Sequence, residues 1–399
     1  MNLKTKTMYF ILSLIILLSA CSKAEDTEMI DNIKPVLNCN ADITQNISAT
    51  ENVAIVNFDI PIGTDNISNV TVTQIEGLSS GDEFPVGTTV NTFKASDASG
   101  NTTTCSFNVT VIRDEPAEDK PYFIGSDPTP DGKTWVFVDT LTDEFEGDSE
   151  NIDTNKWNPD PYNEPRFSWI GRFPGLFETD NIRIKNGELW MEGEKFESPK
   201  TVQGENWTHG GAIIRSEALL MPGTFCETKM KTTETIMSGT FWMSTPNADC
   251  NTVIKKELDV TESIGTRSYV TKLPVEGWFE NTAVNFRSGI NATARQRSSS
   301  CLPAINKGKT ASEAEPQADF HTYGFFWESP TELHFYFDGV KVFSIDPPTP
   351  FNDGMAITLA IETYDFNLPS NAEDDGFNKT LEERSTRYKY IRTWSLEDK

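Results

Sequence analysis

Histidine is scarce in this chain, three in 399 residues, and His209, His321 and His334 show no metal-ligand spacing. The six cysteines form no CxxC pair, which argues against zinc ribbons and thioredoxin-like redox motifs. Positive charge is also short: 34 Lys and Arg stand against 60 Asp and Glu, a formal net charge of -26. Such a balance lacks the cationic footprint that nucleic acid or an anionic membrane surface requires, so neither is expected as a partner. No apolar run is long enough to cross a bilayer comfortably, which takes roughly 20 residues, and no helical apolar period of convincing length appears. What remains is ample for folding. Hydrophobic residues make up 37% and aromatics 11%, enough to bury a sizeable core.

Lys4 and Lys6 precede the apolar run Tyr9–Leu18, the pattern of a signal peptide. Leu18-Ser19-Ala20-Cys21 then resembles a bacterial lipobox, which implies that residues 1–20 are removed and that Cys21 carries lipid. Acidic Glu25 and Asp26 behind it resemble a surface-export tether over 21–34. The expectation is an outer-membrane lipoprotein, surface-exposed or extracellular, acting as a monomer. An oxidising compartment permits a Cys39–Cys105 disulfide and one more among Cys226, Cys250 and Cys301.

Residues 35–113 read as short strands, for example Asn52–Phe58, Val70–Thr73 and Cys105–Val111, in which β-branched and polar residues alternate between Gly, Pro, Asn and Asp punctuation. That is the signature of a small antiparallel sandwich. The pieces Phe84-Pro85-Val86-Gly87-Thr88-Thr89 and Ala95-Ser96-Asp97-Ala98-Ser99-Gly100-Asn101, followed by Cys105, resemble a hyalin-repeat (HYR) module, which implies an immunoglobulin-like spacer or interaction domain. Pro116, Pro121, Pro128 and Pro130 among acidic residues predict a semi-stiff linker over 114–134. From Trp135 to Lys399 strands resume, with Asn186-Gly187 and Asp338-Gly339 marking tight hairpins. The fold class is all-β throughout.

The chemistry concentrates in Glu257-Leu258-Asp259-Val260-Thr261-Glu262. Strand alternation puts Glu257 and Asp259 on one face and Leu258 and Val260 on the other. Glu262 is at odd spacing from Glu257, so it joins the acidic face only if a β-bulge falls between Asp259 and Glu262. Carboxylates this close push one another's pKa values apart, which is how one site obtains both an acid and a nucleophile.

This strand resembles the bulged active-site strand of glycoside hydrolase family 16, a β-jelly roll of two curved antiparallel sheets. Supporting pieces are Trp169–Phe177, Gly210–Ser216, Gly239–Trp242 and His321–Trp327. The resemblance implies that Glu257 is the nucleophile and Glu262 the general acid/base of a retaining hydrolase, with Asp259 between them. The Trp169–Phe177 and Glu362-Thr363-Tyr364 segments resemble red-algal galactanases, enzymes that cut β-1,4 galactosidic bonds in agar, porphyran or carrageenan. Trp169 and Trp242 are the expected stacking platforms for sugar rings. A sulfated galactan would need guanidinium groups against so negative a protein, and Arg172, Arg215, Arg267 and Arg287 are the candidates. Many family members hold calcium through an acidic residue in the last strand. Lys389 stands there instead, so no calcium or other cofactor is expected at that position. The alternatives are a β-1,3-glucanase of the same fold, a non-catalytic polysaccharide-binding lipoprotein and an adhesin working through residues 35–113.

Overall fold

A computed structural model describes residues 31–49, 51–67, 69–114, 119–167, 169–246, 254–265, 270–271, 284–285, 290–296, 305–311, 314–365, 367–370 and 375–399. Cys21, Cys250, Cys301, Arg267 and Arg287 lie outside those residues. Two compact units divide the chain, one holding residues 1–45 and 53–112 and the other residues 46–52 and 113–399.

In the first unit the strands Thr71–Glu76, Gly87–Ser96 and Thr102–Arg113 lie side by side and antiparallel. Alternation buries Phe93 and Ala95 from one strand and Phe107, Val109 and Val111 from its neighbour. The rings of Phe58, Phe84, Phe93 and Phe107 pack edge-on or stacked at 5.1–6.3 Å. Cys39 and Cys105 are joined as a disulfide.

The second unit is a sandwich of two antiparallel sheets. One runs in the order Gly175–Phe177, Glu205–Ser216, Ala356–Glu362, Ser238–Ser244, Lys256–Ile264, Ile290–Gln296, Ile305–Ala311, with the first pairing parallel. The other runs Ile182–Lys185, Glu188–Glu192, Ser385–Asp398, Thr224–Lys231, His321–Ser329, Glu332–Phe337, Val340–Ile345. The core between them takes Leu258, Val260, Phe241, Met243, Ile357, Leu359 and Ile361 from the first sheet. From the second it takes Leu189, Met191, Tyr323, Phe325, Trp327, Phe335 and Tyr388. Each fully buried aliphatic or aromatic side chain contributes about 1.5–3 kcal/mol, so the inward faces of these strands account for the layering.

Both expected hairpins form. Lys185 pairs with Glu188, and Phe337 with Val340, so each loop has two residues. Their central residues all have positive φ (Asn186 55°, Gly187 69°, Asp338 47°, Gly339 77°), the twist that suits a two-residue turn.

One expectation needs correction. The stretch 114–134, expected to be a semi-stiff linker, is partly built into the second unit. Tyr122 is buried, its backbone N–H donates to Glu227 Oε2 at 3.1 Å, and Phe123 packs on Phe225, Trp135 and Tyr336. Proline supplies stiffness here, but the aromatic pair decides the location. One disulfide among Cys226, Cys250 and Cys301 leaves one thiol over, and Cys226 is a buried free thiol against which Thr393 Oγ1 lies at 3.3 Å.

Candidate active site

The acidic strand Lys256–Ile264 lies between Ser238–Ser244 and Ile290–Gln296. Phe241 pairs with Thr261 while the next residue, Trp242, pairs with Asp259. Val260 is therefore the extra residue of a β-bulge, and Glu262 returns to the face of Glu257 and Asp259. Leu258 and Val260 point into the core, both fully buried.

Register supplies what the acidic strand lacks. Arg295 stands opposite Glu257, and Thr293 opposite Asp259, so their side chains share the acidic face. Arg295 Nε lies 3.4 Å from Glu257 Oε1 and donates to Asp259 Oδ2 at 3.0 Å. Its Nη2 donates to Asp259 Oδ2 as well and reaches Glu262 Oε2 at 3.3 Å. Thr293 Oγ1 also donates to Asp259 Oδ2. One buried guanidinium thus touches all three carboxylates. Burial works against its charge, but Asp259, Glu257 and Glu262 outweigh that and hold Arg295 protonated.

Glu262 has a different surrounding. Burial and then the Asp259 charge push its carboxyl up to about 7, while Arg295 and a hydrogen bond from Tyr364 oppose the rise. The Tyr364 hydroxyl donates to Glu262 Oε1 at 2.6 Å. Sixteen per cent of the Glu262 side chain stays exposed, so solvent reaches it.

The Trp169–Phe177 segment is tied to the same place. Arg172 Nε donates to Glu362 Oε2 at 3.0 Å, Thr363 Oγ1 donates to the Arg172 carbonyl, and Gly175 N donates to Thr363 Oγ1 at 3.1 Å. The Arg172 guanidinium lies 5.1 Å from the Tyr364 ring centre and 5.7 Å from that of Trp169. Trp169 meets Phe177 at 4.9 Å and Trp242 at 6.0 Å, both edge-on.

The residues expected to bind sugar therefore separate. Trp169 and Arg172 are half-buried at the acidic face, with 33% of the Arg172 side chain exposed. Trp242 shares that face but is only 8% exposed, so it backs Trp169 more than it offers a surface of its own. Arg215 must be corrected. Its register with Thr358, which pairs with Trp242, puts it on the same face. It is nonetheless 2% exposed, with its guanidinium 4.9 Å from the centre of the Phe167 ring. The segment carrying Glu164 and Phe167 covers it, and burial lowers its pKa to about 10. Strand alternation predicts a face; it cannot predict a loop laid over that face. Lys389 stacks its ammonium 5.1 Å from the Phe320 ring centre.

Sequence reasoning missed Arg295 and Thr293 and gave Tyr364 no role. The signal was faint: Ala292-Thr293-Ala294-Arg295 alternates small and polar residues, but only the pairing with Glu257 reveals what Arg295 does.

Comparison with known proteins gives the family and the fold. The model of the β-porphyranase A–D glycoside hydrolase family 16 domain matches residues 135–396, and the HYR domain model matches residues 30–111. The chain is 33% identical to β-porphyranase C of Zobellia galactanivorans, over 70% of this chain and 83% of that protein. The crystal structure of porphyranase B from the same organism is similar at 30% identity and a TM-score of 0.59, covering 70% of this chain and 99% of that one. β-Agarase A of Z. galactanivorans, at 18% identity and a TM-score of 0.53 over 69% of this chain and 96% of that one, shares the fold.

Proposed function

Because the chain belongs to glycoside hydrolase family 16, in its β-porphyranase A–D branch, we propose that it is an endo-acting retaining hydrolase of a red-algal galactan of the agar or porphyran type. The observation that carries the assignment of roles is the single guanidinium of Arg295 against Glu257, Asp259 and Glu262. It gathers three carboxylates around one positive charge and leaves Glu262, with its raised pKa, as the group able to hold a proton near neutrality.

Glu257 attacks the anomeric carbon as a carboxylate and forms a glycosyl ester, while the Glu262 carboxylic acid protonates the departing glycosidic oxygen. Glu262, now ionised, takes a proton from water, the hydroxide oxygen bonds to the anomeric carbon, and Glu257 leaves as a carboxylate. Two displacements give net retention. Asp259, held by Thr293 and Arg295, is a positioning group between them. Trp169 offers an aromatic face to a pyranose ring, and Arg172 is the exposed cation beside it, suited to a sulfate or a hydroxyl. The relatives' names favour porphyran over laminarin, so the β-1,3-glucanase alternative recedes.

The test is reducing-sugar release from agarose, porphyran, κ-carrageenan and laminarin, with Glu257→Gln as the control. Cleavage of porphyran or agarose that vanishes in the variant supports substrate and nucleophile together. Cleavage of laminarin alone would overturn the substrate. Binding to the galactans without cleavage of any of the four would overturn the enzyme reading.

The location of the protein remains part of the proposal: Cys21 carries lipid and holds the enzyme, as a monomer, at the outer membrane. Replacement of Cys21 by Ala is expected to move the protein from the membrane fraction to the soluble fraction.

A further inference from the structure

The first unit contains a second gathering of carboxylates that hydrolysis does not use. Asp31 precedes its first strand, Asp65 follows the strand Ile62–Thr64, and Asp97 opens the turn between Gly87–Ser96 and Thr102–Arg113. Thirty-odd residues separate each from the next in sequence, yet a carboxylate oxygen from each lies within 4.8 Å of the other two. Oxygens bound at 2.3–2.6 Å to one calcium ion are about 5 Å apart at most, so the spacing fits a common ion.

The three side chains are held in place. Ile33 N donates to Asp31 Oδ1 at 3.0 Å, Ile67 N to Asp65 Oδ2 at 3.0 Å, and Asn101 N to Asp97 Oδ1 at 2.8 Å. Asn101 Nδ2 links two of them, donating to Asp97 Oδ2 at 2.9 Å and to the Asp31 carbonyl at 3.0 Å. The independent observation is Asp31 itself. Its residue is 7% exposed, and its second carboxylate oxygen, Oδ2, is buried with no hydrogen-bond donor. Among the described residues no Lys or Arg forms an ion pair with Asp31 or Asp97. A buried carboxylate oxygen facing like charges is strongly unfavourable unless something positive meets it.

We propose that Asp31, Asp65 and Asp97 bind a calcium ion that fastens the segment leading into this unit to its Asp97–Asn101 turn. Oxygen-only donors select a hard cation. Rigid carboxylates without an evident octahedral arrangement favour calcium over magnesium, which demands that geometry and keeps its waters. The site would work in the 0.1–1 mM range on the order of other extracellular calcium modules. Sequence reading could not find it, since no two ligands fall within one motif.

The experiment uses the full chain, freed of metal with chelator and titrated with calcium chloride. The native protein is expected to bind one calcium more than either Asp31→Asn or Asp65→Asn. Asp65→Asn is the safeguard against misfolding, because Asp65 is only half-buried and its amide oxygen can still accept from Ile67. With calcium at about ten times its dissociation constant, a thermal transition of the native chain is expected to rise by roughly 5–10 °C. Amide exchange at Ile33, Ile67 and Asn101 is expected to slow, and both effects should be absent in the variants. Equal stoichiometry in native and variant proteins, or unchanged exchange at those amides, would overturn the proposal. Equal protection by magnesium would overturn the choice of calcium.

Discussion

The Tyr364 hydroxyl lies 2.6 Å from Glu262 Oε1 and donates to it, which couples the Trp169–Phe177 neighbourhood to the proposed proton donor. That bond stabilises the ionised carboxyl and so lowers a pKa that burial raises. Removing it in Tyr364→Phe should let the Glu262 value rise further. The acid then stays protonated to higher pH, and the basic limb of the kcat/KM profile should move upward by about one pH unit. An unmoved limb with a lower rate would assign Tyr364 to packing alone.

Arg295→Lys keeps a charge but loses the fork that reaches three carboxylates. Initial rates should fall about 100-fold or more, because the carboxylates are no longer oriented by one group. Arg295→Met should in addition destabilise the second unit by about 3–5 kcal/mol, the usual effect of stranding a buried charge. Denaturant titration separates the two variants.

Trp169 and Trp242 should part company on mutation. Trp169→Ala, at a half-buried position, is expected to raise KM about tenfold with kcat and stability little changed. Trp242→Ala removes a side chain only 8% exposed and should lower stability by about 3–5 kcal/mol. A KM effect from Trp242 without loss of stability would restore it as a platform.

Glu227 provides a pH test of the fold. Burial raises its carboxyl from 4.5 to about 7, against opposing effects of the Tyr122 N–H and Arg392. The folded state therefore binds a proton more readily than the unfolded chain. Stability should be highest below about pH 4.5 as far as this group is concerned, and decline as pH rises toward 7, by about 3 kcal/mol in all. Glu262 acts with the same sign, so the comparison is between native protein and Glu227→Gln, whose thermal unfolding should depend less on pH. Identical pH dependence in the two would contradict the burial effect.

How far the sequence could be read depended on range. Alternation within one strand placed Glu257 and Asp259, odd spacing demanded the bulge, and turn dipeptides located two hairpins; all of these are local. The Cys39–Cys105 disulfide was expected on the ground that an oxidising compartment permits it, and the bond is present. Arg295 could not be singled out, because its role comes from the strand opposite Glu257. The burial of Arg215 comes from a segment some fifty residues upstream, and Tyr122 and Phe123 join the second unit through partners that lie about a hundred residues or more away. What was missed is what only tertiary proximity creates.

The bulge at Val260 gives the acidic strand two phases, one before it and one after, much as an inserted base shifts a reading frame. Deleting Val260 would put both halves in the same phase. Thr261 would then take the inward place of Val260, and Glu262, now four residues from Glu257, would keep to the acidic face by plain alternation. The opposite change has the opposite effect: one residue inserted between Phe241 and Trp242, across from Val260, would let the two strands pair without a bulge and turn Glu262 toward the apolar core. The proton donor's position thus rests on a difference of one residue between neighbouring strands, and removing that difference from the partner strand can convert a hydrolase into a binding protein while leaving every proposed catalytic residue in the sequence.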